Sequence, residues 1–217
     1  MISENFKIIR SQIPENVCLV AVSKTKPKEL ILEAYNLGQR HFGENKVQEL
    51  SEKASALPKD IQWHLIGHLQ TNKVKYIAEF VHLIHAVDSL KLLQEINKQA
   101  LKHNRVIACL LQFYIADEET KFGLSREEAK LLLSSESYSA LQNIKIIGVM
   151  GMASFVDDTN QIRNEFKALQ AIFSEIKHNY FSDQTSFKEV SMGMSGDFQL
   201  AIEEGSTMVR IGSSLFS

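Results

Sequence analysis

The sequence predicts an α/β fold in which eight parallel strands close into a (β/α)8, or TIM, barrel, as a single domain over residues 1–217 with an added N-terminal helix. Three observations carry this. Eight short apolar runs recur along the chain, each followed by a polar turn and, in most cases, an amphipathic segment. Several runs are apolar almost without a break, as strands buried on both faces are. Strand–helix alternation implies right-handed crossovers and a parallel sheet, and eight strands point to a closed barrel. An open doubly wound sheet is the alternative reading of the same alternation.

The runs are VCLVAVS (17–23), RHFGE (40–44), IQWHLIG (61–67), HLIHAVD (82–88), VIACLLQFYI (106–115), IKIIGVMGM (144–152), FKEVSMG (187–193) and TMVRIG (207–212). Between them lie helix signals. Pro27 stands at a first helical position and Gly38 just past the end of KELILEAYNLG. Ser125 and Glu128 form a capping box. Ile162, Phe166, Leu169, Phe173 and Ile176 recur at three and four residues, an apolar stripe. The chain runs only five residues past the eighth run, which leaves no room for a full last helix. Phe6, Ile9 and Ile13, at helical spacing, are expected to cover that gap.

With 44% hydrophobic and 23% charged residues the composition is that of a soluble globular protein. A net charge of −2 gives no electrostatic reason to expect nucleic acid or an anionic membrane. No apolar stretch approaches the ~18 residues of a spanning helix, and MISENFKIIRSQIPENV lacks the apolar region of a signal peptide. Cys18 and Cys109 sit far apart in apolar runs and read as buried, reduced thiols, as suits a cytoplasmic protein.

A barrel of this kind places its site at the C-terminal ends of its strands. Lys24 lies there, beyond Val22, where a low-dielectric cavity would favour a neutral amine able to attack a carbonyl. The alternative is a solvated rim lysine. SMGMSGD after the seventh run and RIGSS after the eighth occupy the usual phosphate position of such barrels, with Gly193, Gly196 and Gly212 allowing close backbone approach and Ser195, Ser213 and Ser214 adding hydroxyls. Arg210, just inside the barrel mouth, cannot lose its charge, so burial requires a partner: a carboxylate such as Asp88 or Glu44, or an acceptor atom on a ligand. Glu44 and Asp88 themselves read equally well as a solvated rim. A carbonyl-bearing phosphate ester with a ring nitrogen would satisfy lysine, loops and arginine together, and pyridoxal 5'-phosphate (PLP) fits that description.

AVSKTKP, HFGENKVQE, WHLIGHLQTNK, EETKFG and SMGMSGDFQLAIEEGSTMVRIGSSLF resemble, in order and over nearly the whole chain, the motifs of the pyridoxal phosphate homeostasis protein family, single-domain relatives of the alanine racemase N-terminal barrel. The resemblance implies that Lys24 carries PLP as an aldimine, that Arg210 faces the pyridine nitrogen, that Ser195, Gly212 and Ser213 hold the phosphate, and that Asn45 lines the pocket. Two positions depart from the pattern: His68 stands where the family has proline, and Gly196 where an acid or amide is common.

The resemblance implies a monomeric carrier that buffers the cofactor, with apo PLP-dependent enzymes as candidate recipients. The competing class is an amino-acid racemase, whose chemistry needs acid–base groups on both faces of the α-carbon. In the racemases the second base is a tyrosine from a further domain of the partner subunit, and no such segment follows the eighth run. Lys26 and Lys121, on loops of the same barrel face, could relay a departing aldehyde, or could be solvated rim lysines. His82 and His85 flank one run without a third ligand at metal spacing, so no metal is expected, and Trp63, His64 and Met150 read as barrel packing.

Overall fold

The computed structural model describes residues 2–116 and 122–217. Eight parallel strands form a closed barrel in sequence order: β1 (Cys18–Val22), β2 (His41–Glu44), β3 (Gln62–Leu65), β4 (Leu83–Val87), β5 (Ile107–Gln112), β6 (Ile144–Met150), β7 (Glu189–Ser191) and β8 (Met208–Ile211). Each lies inside one of the eight apolar runs. The open doubly wound sheet is thereby excluded, because β1 pairs with β8, Val20 against Arg210 and Ala21 against Ile211.

The helices are α1 (Ile2–Ser11), α2 (Lys28–Asn36), α3 (Val47–Ala56), α4 (Leu90–Lys102), α5 (Arg126–Leu133), α6 (Glu136–Ser139), α7 (Thr159–Tyr180), α8 (Phe198–Glu203) and α9 (Ser213–Phe216), with a 3₁₀ turn over Thr71–Tyr76 between β3 and β4. Pro27 is the N-cap of α2 rather than its first residue, and Gly38 follows its end at φ 95°. The Ser125–Glu128 capping box opens α5. In α7 the buried face is Ile162, Phe166, Leu169 and Ile176, joined by Ile172, while Phe173 is half-buried and stacks on Phe187 at 5.2 Å.

The last position of the helical ring is filled from both chain ends. The single turn α9 cannot cover the β8–β1 seam, so α1 packs there: Phe6 meets Phe216 edge-on at 6.1 Å, and Asn5 Nδ2 donates to the carbonyl of Ser217 at 2.9 Å.

Alternation along the strands divides the core in two. Residues such as Leu19, Phe42, Trp63, Leu65 and Val209 face the helices in one large apolar cluster. Val20, Leu83, Leu110, Met150 and Met208 point inward and fill the barrel. Trp63 and Met150 thus pack as expected, on opposite sides of the barrel wall. Both cysteines are free, with Cys109 buried and Cys18 half-buried, and burial pushes the Cys18 thiol up to about 12.

Candidate functional site

The C-terminal mouth of the barrel opens into a cavity of about 800 Å³. Lys24, Asn45, Ser195, Arg210, Gly212 and Ser213 all line it, together with His68 and Gly196. Residues scattered over 190 positions of sequence meet because each follows or ends a strand of one parallel ring. Lys26 does not line this cavity: its Nζ donates to the Phe216 carbonyl at 3.1 Å and it borders a separate, shallower groove. Lys121 lies outside the described residues.

Lys24 is exposed at the open mouth, so the low-dielectric environment expected from its place at a strand end does not surround it. Among the described residues no hydrogen bond or ion pair ties its ammonium. The backbone around it is held instead. Thr25 adopts φ 63°, a left-handed conformation costly for a β-branched residue. Its N–H donates to Glu49 Oε1 at 2.6 Å, and the Lys26 N–H closes a turn onto the Ser23 carbonyl at 3.0 Å.

Beneath that turn lies a buried polar cluster. Lys53 Nζ donates to Glu44 Oε1 at 2.8 Å, to Glu49 Oε1 at 2.6 Å and to the Ser23 carbonyl at 2.7 Å, while Ser23 Oγ donates to Glu44 Oε1 at 2.6 Å. Glu44 is completely buried, which corrects its reading as a solvated rim residue. Burial outweighs the hydrogen bonds from Lys53 and Ser23 and leaves the Glu44 carboxyl above its usual range; its Oε2 has no hydrogen-bond partner among the described residues. Asp88 does stay at the rim, half-buried, with Oδ2 3.5 Å from Nδ1 of the exposed His68. The departure at position 68 therefore adds a rim contact, and His68 also lies 6.2 Å from the Phe122 ring.

Arg210 is 4% exposed. Neither carboxylate considered from sequence is its partner, since Glu44 is engaged by Lys53 and Asp88 by His68. Among the described residues it makes no ion pair. Nη1 donates to Ser191 Oγ at 2.6 Å and Nη2 to the Gly151 carbonyl at 3.1 Å, two of its five N–H donors. Burial pulls its pKa down to about 10, and Asp197 opposes this only through its field. Asp197 itself closes the loop before α8, accepting from the Met194 N–H at 2.5 Å; burial raises its pKa. The Gly212 N–H reaches Ser195 Oγ at 3.3 Å, which joins the two glycine-serine loops across the β7–β8 seam.

His82 and His85, read from sequence as lacking a third ligand at metal spacing, neighbour two further histidines, His41 and His64. His41 Nδ1 lies 2.9 Å from His64 Nε2, His64 Nδ1 lies 2.9 Å from His85 Nε2, and His85 Nδ1 lies 3.0 Å from Ser191 Oγ. His64 is thus not mere packing but the middle of a line running from Arg210 down through the barrel. These contacts escaped sequence reading because strand spacing alone does not say which inward residues of different strands share a level.

A closed barrel with a lysine and an arginine without an ion-pair partner among the described residues at its mouth, and two glycine-serine loops beside them, defines a class of ligand-binding barrel. A family profile described as "Alanine racemase, N-terminal domain" matches residues 1–217. The chain belongs to the pyridoxal phosphate homeostasis protein family. It is 43% identical over 199 residues to the Aquifex aeolicus pyridoxal phosphate homeostasis protein, covering 91% of this chain and 85% of that one. To the human protein of the same name it is 41% identical, covering 91% and 75%. The structure of PipY from Synechococcus elongatus PCC7942 without PLP superposes with a TM-score of 0.93 at 36% identity, each chain covered in full, and its PLP-bound form with 0.89. An alanine racemase from Clostridium difficile shares the fold at a TM-score of 0.76 and 14% identity.

Proposed function

We propose that the chain binds PLP in the barrel-mouth cavity through Lys24 and buffers it for apo PLP-dependent enzymes, as a monomeric, non-catalytic carrier. The observation that carries this is Arg210: a buried guanidinium lines the cavity with no carboxylate in ion-pair contact among the described residues, Asp197 acting only through its field. Leaving a buried charge unpaired costs several kcal/mol (about 3–5) where a partner is removed, so a fold that keeps one invites an acceptor from a ligand.

The lining residues fit PLP. The cofactor supplies an aldehyde that condenses with a primary amine, a ring nitrogen that accepts a hydrogen bond, and a phosphate. Lys24 offers an accessible amine that nothing described holds, on a turn fixed by Glu49 and Ser23. Arg210, oriented by Ser191 and Gly151, offers its remaining donors to the ring nitrogen. Ser195 and Ser213 offer hydroxyls and Gly212 its N–H to the phosphate, and Asn45 offers its amide along the cavity wall.

Carriage is favoured over racemisation by the openness of the mouth. Phe155 is 98% and Phe122 61% exposed at the rim, so water reaches Lys24, whereas carbanion chemistry is served by a closed, dry site. The test is the near-visible absorbance of protein loaded with PLP, followed by borohydride reduction, peptide mapping and a racemase assay over a panel of amino acids. The label is expected on the peptide containing Lys24, lost in Lys24→Ala, with no turnover. Label elsewhere would overturn the attachment site, and sustained racemisation would overturn the carrier role.

A further inference from the structure

The barrel has a second polar centre at its other end. His41 opens β2, His64 lies within β3, and His82 directly precedes β4, so three neighbouring strands bring three imidazoles together at the N-terminal mouth. One nitrogen from each lies within 4.8 Å of the others. The ring centroids are 5.2, 5.7 and 5.3 Å apart and the planes are inclined by 60°, 70° and 55°, so the rings converge rather than stack. We propose that His41, His64 and His82 bind a divalent transition-metal ion of the imidazole-preferring kind, Zn²⁺ or Co²⁺, at the N-terminal mouth of the barrel.

A tetrahedral ion with bonds of about 2.0–2.1 Å needs ligand atoms roughly 3.4 Å apart. The His41–His64 edge is 2.9 Å, and the remaining edges lie within the 4.8 Å limit, so rotations of the exposed His82 and half-buried His41 rings suffice to close the site. The most buried ligand is also the one that is held in place. His64 Nδ1 contacts His85 Nε2, and His85 Nδ1 contacts Ser191 Oγ, the outer support that metal-bound histidines characteristically have. Three protein ligands, one of them the exposed His82, match the ligand count of an open zinc site rather than a closed structural one. Three neutral imidazoles without a carboxylate select against Mg²⁺ and Ca²⁺, which require oxygen donors. The fields of Arg10 on His41 and of Arg105 on His82 oppose a cation as they oppose a proton, but Arg105 is itself bound to the Ala78 and Val81 carbonyls at 2.7 Å.

The proton count closes. Ser191 Oγ accepts from Arg210; with the Ser191 hydroxyl donating to His85 Nδ1, His85 and His64 carry their protons on Nε2, and His64 donates to His41 Nδ1. Metal on His64 Nε2 requires the other tautomer. His64 and His85 each move one proton from Nε2 to Nδ1, His85 then donates to the second lone pair of Ser191 Oγ, whose own hydroxyl hydrogen rotates away from His85, and none of these groups gains or loses a proton overall.

The experiment is a titration of the purified full chain with Co²⁺, read by visible absorption, followed by displacement with Zn²⁺. One equivalent is expected to bind with the strong d–d bands of low coordination and without thiolate charge-transfer bands. His82→Ala, at an exposed position, is expected to weaken binding at least tenfold while circular dichroism stays unchanged, with His41→Gln as the second variant. The double variant His103→Ala/His178→Ala is expected to bind like the parent. Absence of saturable one-equivalent binding, or binding that survives intact in either His82→Ala or His41→Gln, would overturn the site.

Discussion

Lys53 Nζ lies 2.8 Å from Glu44 Oε1, with both side chains shut off from water, and the same ammonium holds the Ser23 carbonyl directly before Lys24. A buried pair is costly to break by halves, because the survivor keeps its charge or must change its protonation. Lys53→Met is therefore expected to cost about 3–5 kcal/mol, seen as a large drop in the thermal midpoint. Lys24→Ala, which removes an exposed side chain, should change stability by no more than about 0.5 kcal/mol. Equal effects of the two substitutions would contradict a supporting role for Lys53.

Arg210 has hydroxyl and carbonyl partners rather than a carboxylate, which sets the outcome of Arg210→Glu. The change removes two hydrogen bonds and places an unpaired carboxyl in a buried site already within the field of Asp197, so the expected loss is several kcal/mol (about 3–5). If the arginine meets the ring nitrogen of PLP, the near-visible spectrum of the loaded protein shifts. Lost stability with an unchanged spectrum would make Arg210 a structural residue only.

The histidine line predicts an acid-labile barrel. Burial, with the fields of His82 and Arg10, pulls His41 down to about 4. Burial also lowers His82, His64 and His85, aided by Arg105 for His82 and by Arg210 for His85. An unfolded histidine titrates near 6.5. Between roughly pH 6.5 and 4 the unfolded chain takes up protons that the folded chain refuses, so stability is fully present above that window and falls as the pH drops through it. Thermal melts should decline from pH 7 to pH 5, before most carboxylates titrate, by on the order of 1 kcal/mol per pH unit for each of the buried His64 and His85 and by less for His41 and the solvent-screened His82. His41→Gln should flatten the slope, and a flat profile in the parent would refute the mechanism.

Two glycines of the cavity wall are expected to respond oppositely to a methyl group. A Cβ at Gly67 would lie 2.4 Å from the Asn45 carbonyl oxygen, whereas one at Gly196 would meet nothing within 4 Å. Gly67→Ala must displace the Asn45 backbone, at a cost of about 1–3 kcal/mol, and should weaken PLP uptake in an absorbance titration. Gly196→Ala should be neutral or stabilising by about 0.4–1 kcal/mol through the unfolded chain. A loss of PLP affinity in Gly196→Ala would show that the family's usual residue matters there for more than loop geometry.

Local pattern sufficed for the ring of strands and for much of the cavity wall, though not for Glu44, Asp88 or Lys26, which share that end of the barrel without lining the cavity. Apolar runs, caps and turn glycines are local signals, and parallel topology sends every strand end to one mouth, so Lys24, Asn45, Ser195, Arg210, Gly212 and Ser213 could be gathered without coordinates. Tertiary structure alone decided the partners. Ser23 meets Glu44 across 21 residues, and His85 meets Ser191 across 106. Such pairs depend on the stagger between strands, which sets the level at which each inward side chain sits. Lys24 stands in water while Glu44 is sealed for the same reason: α3 brings Lys53 and Glu49 beneath the turn after β1 and leaves the cavity above it open. Local pattern encodes which face a residue takes, but closure of the barrel chooses its neighbours.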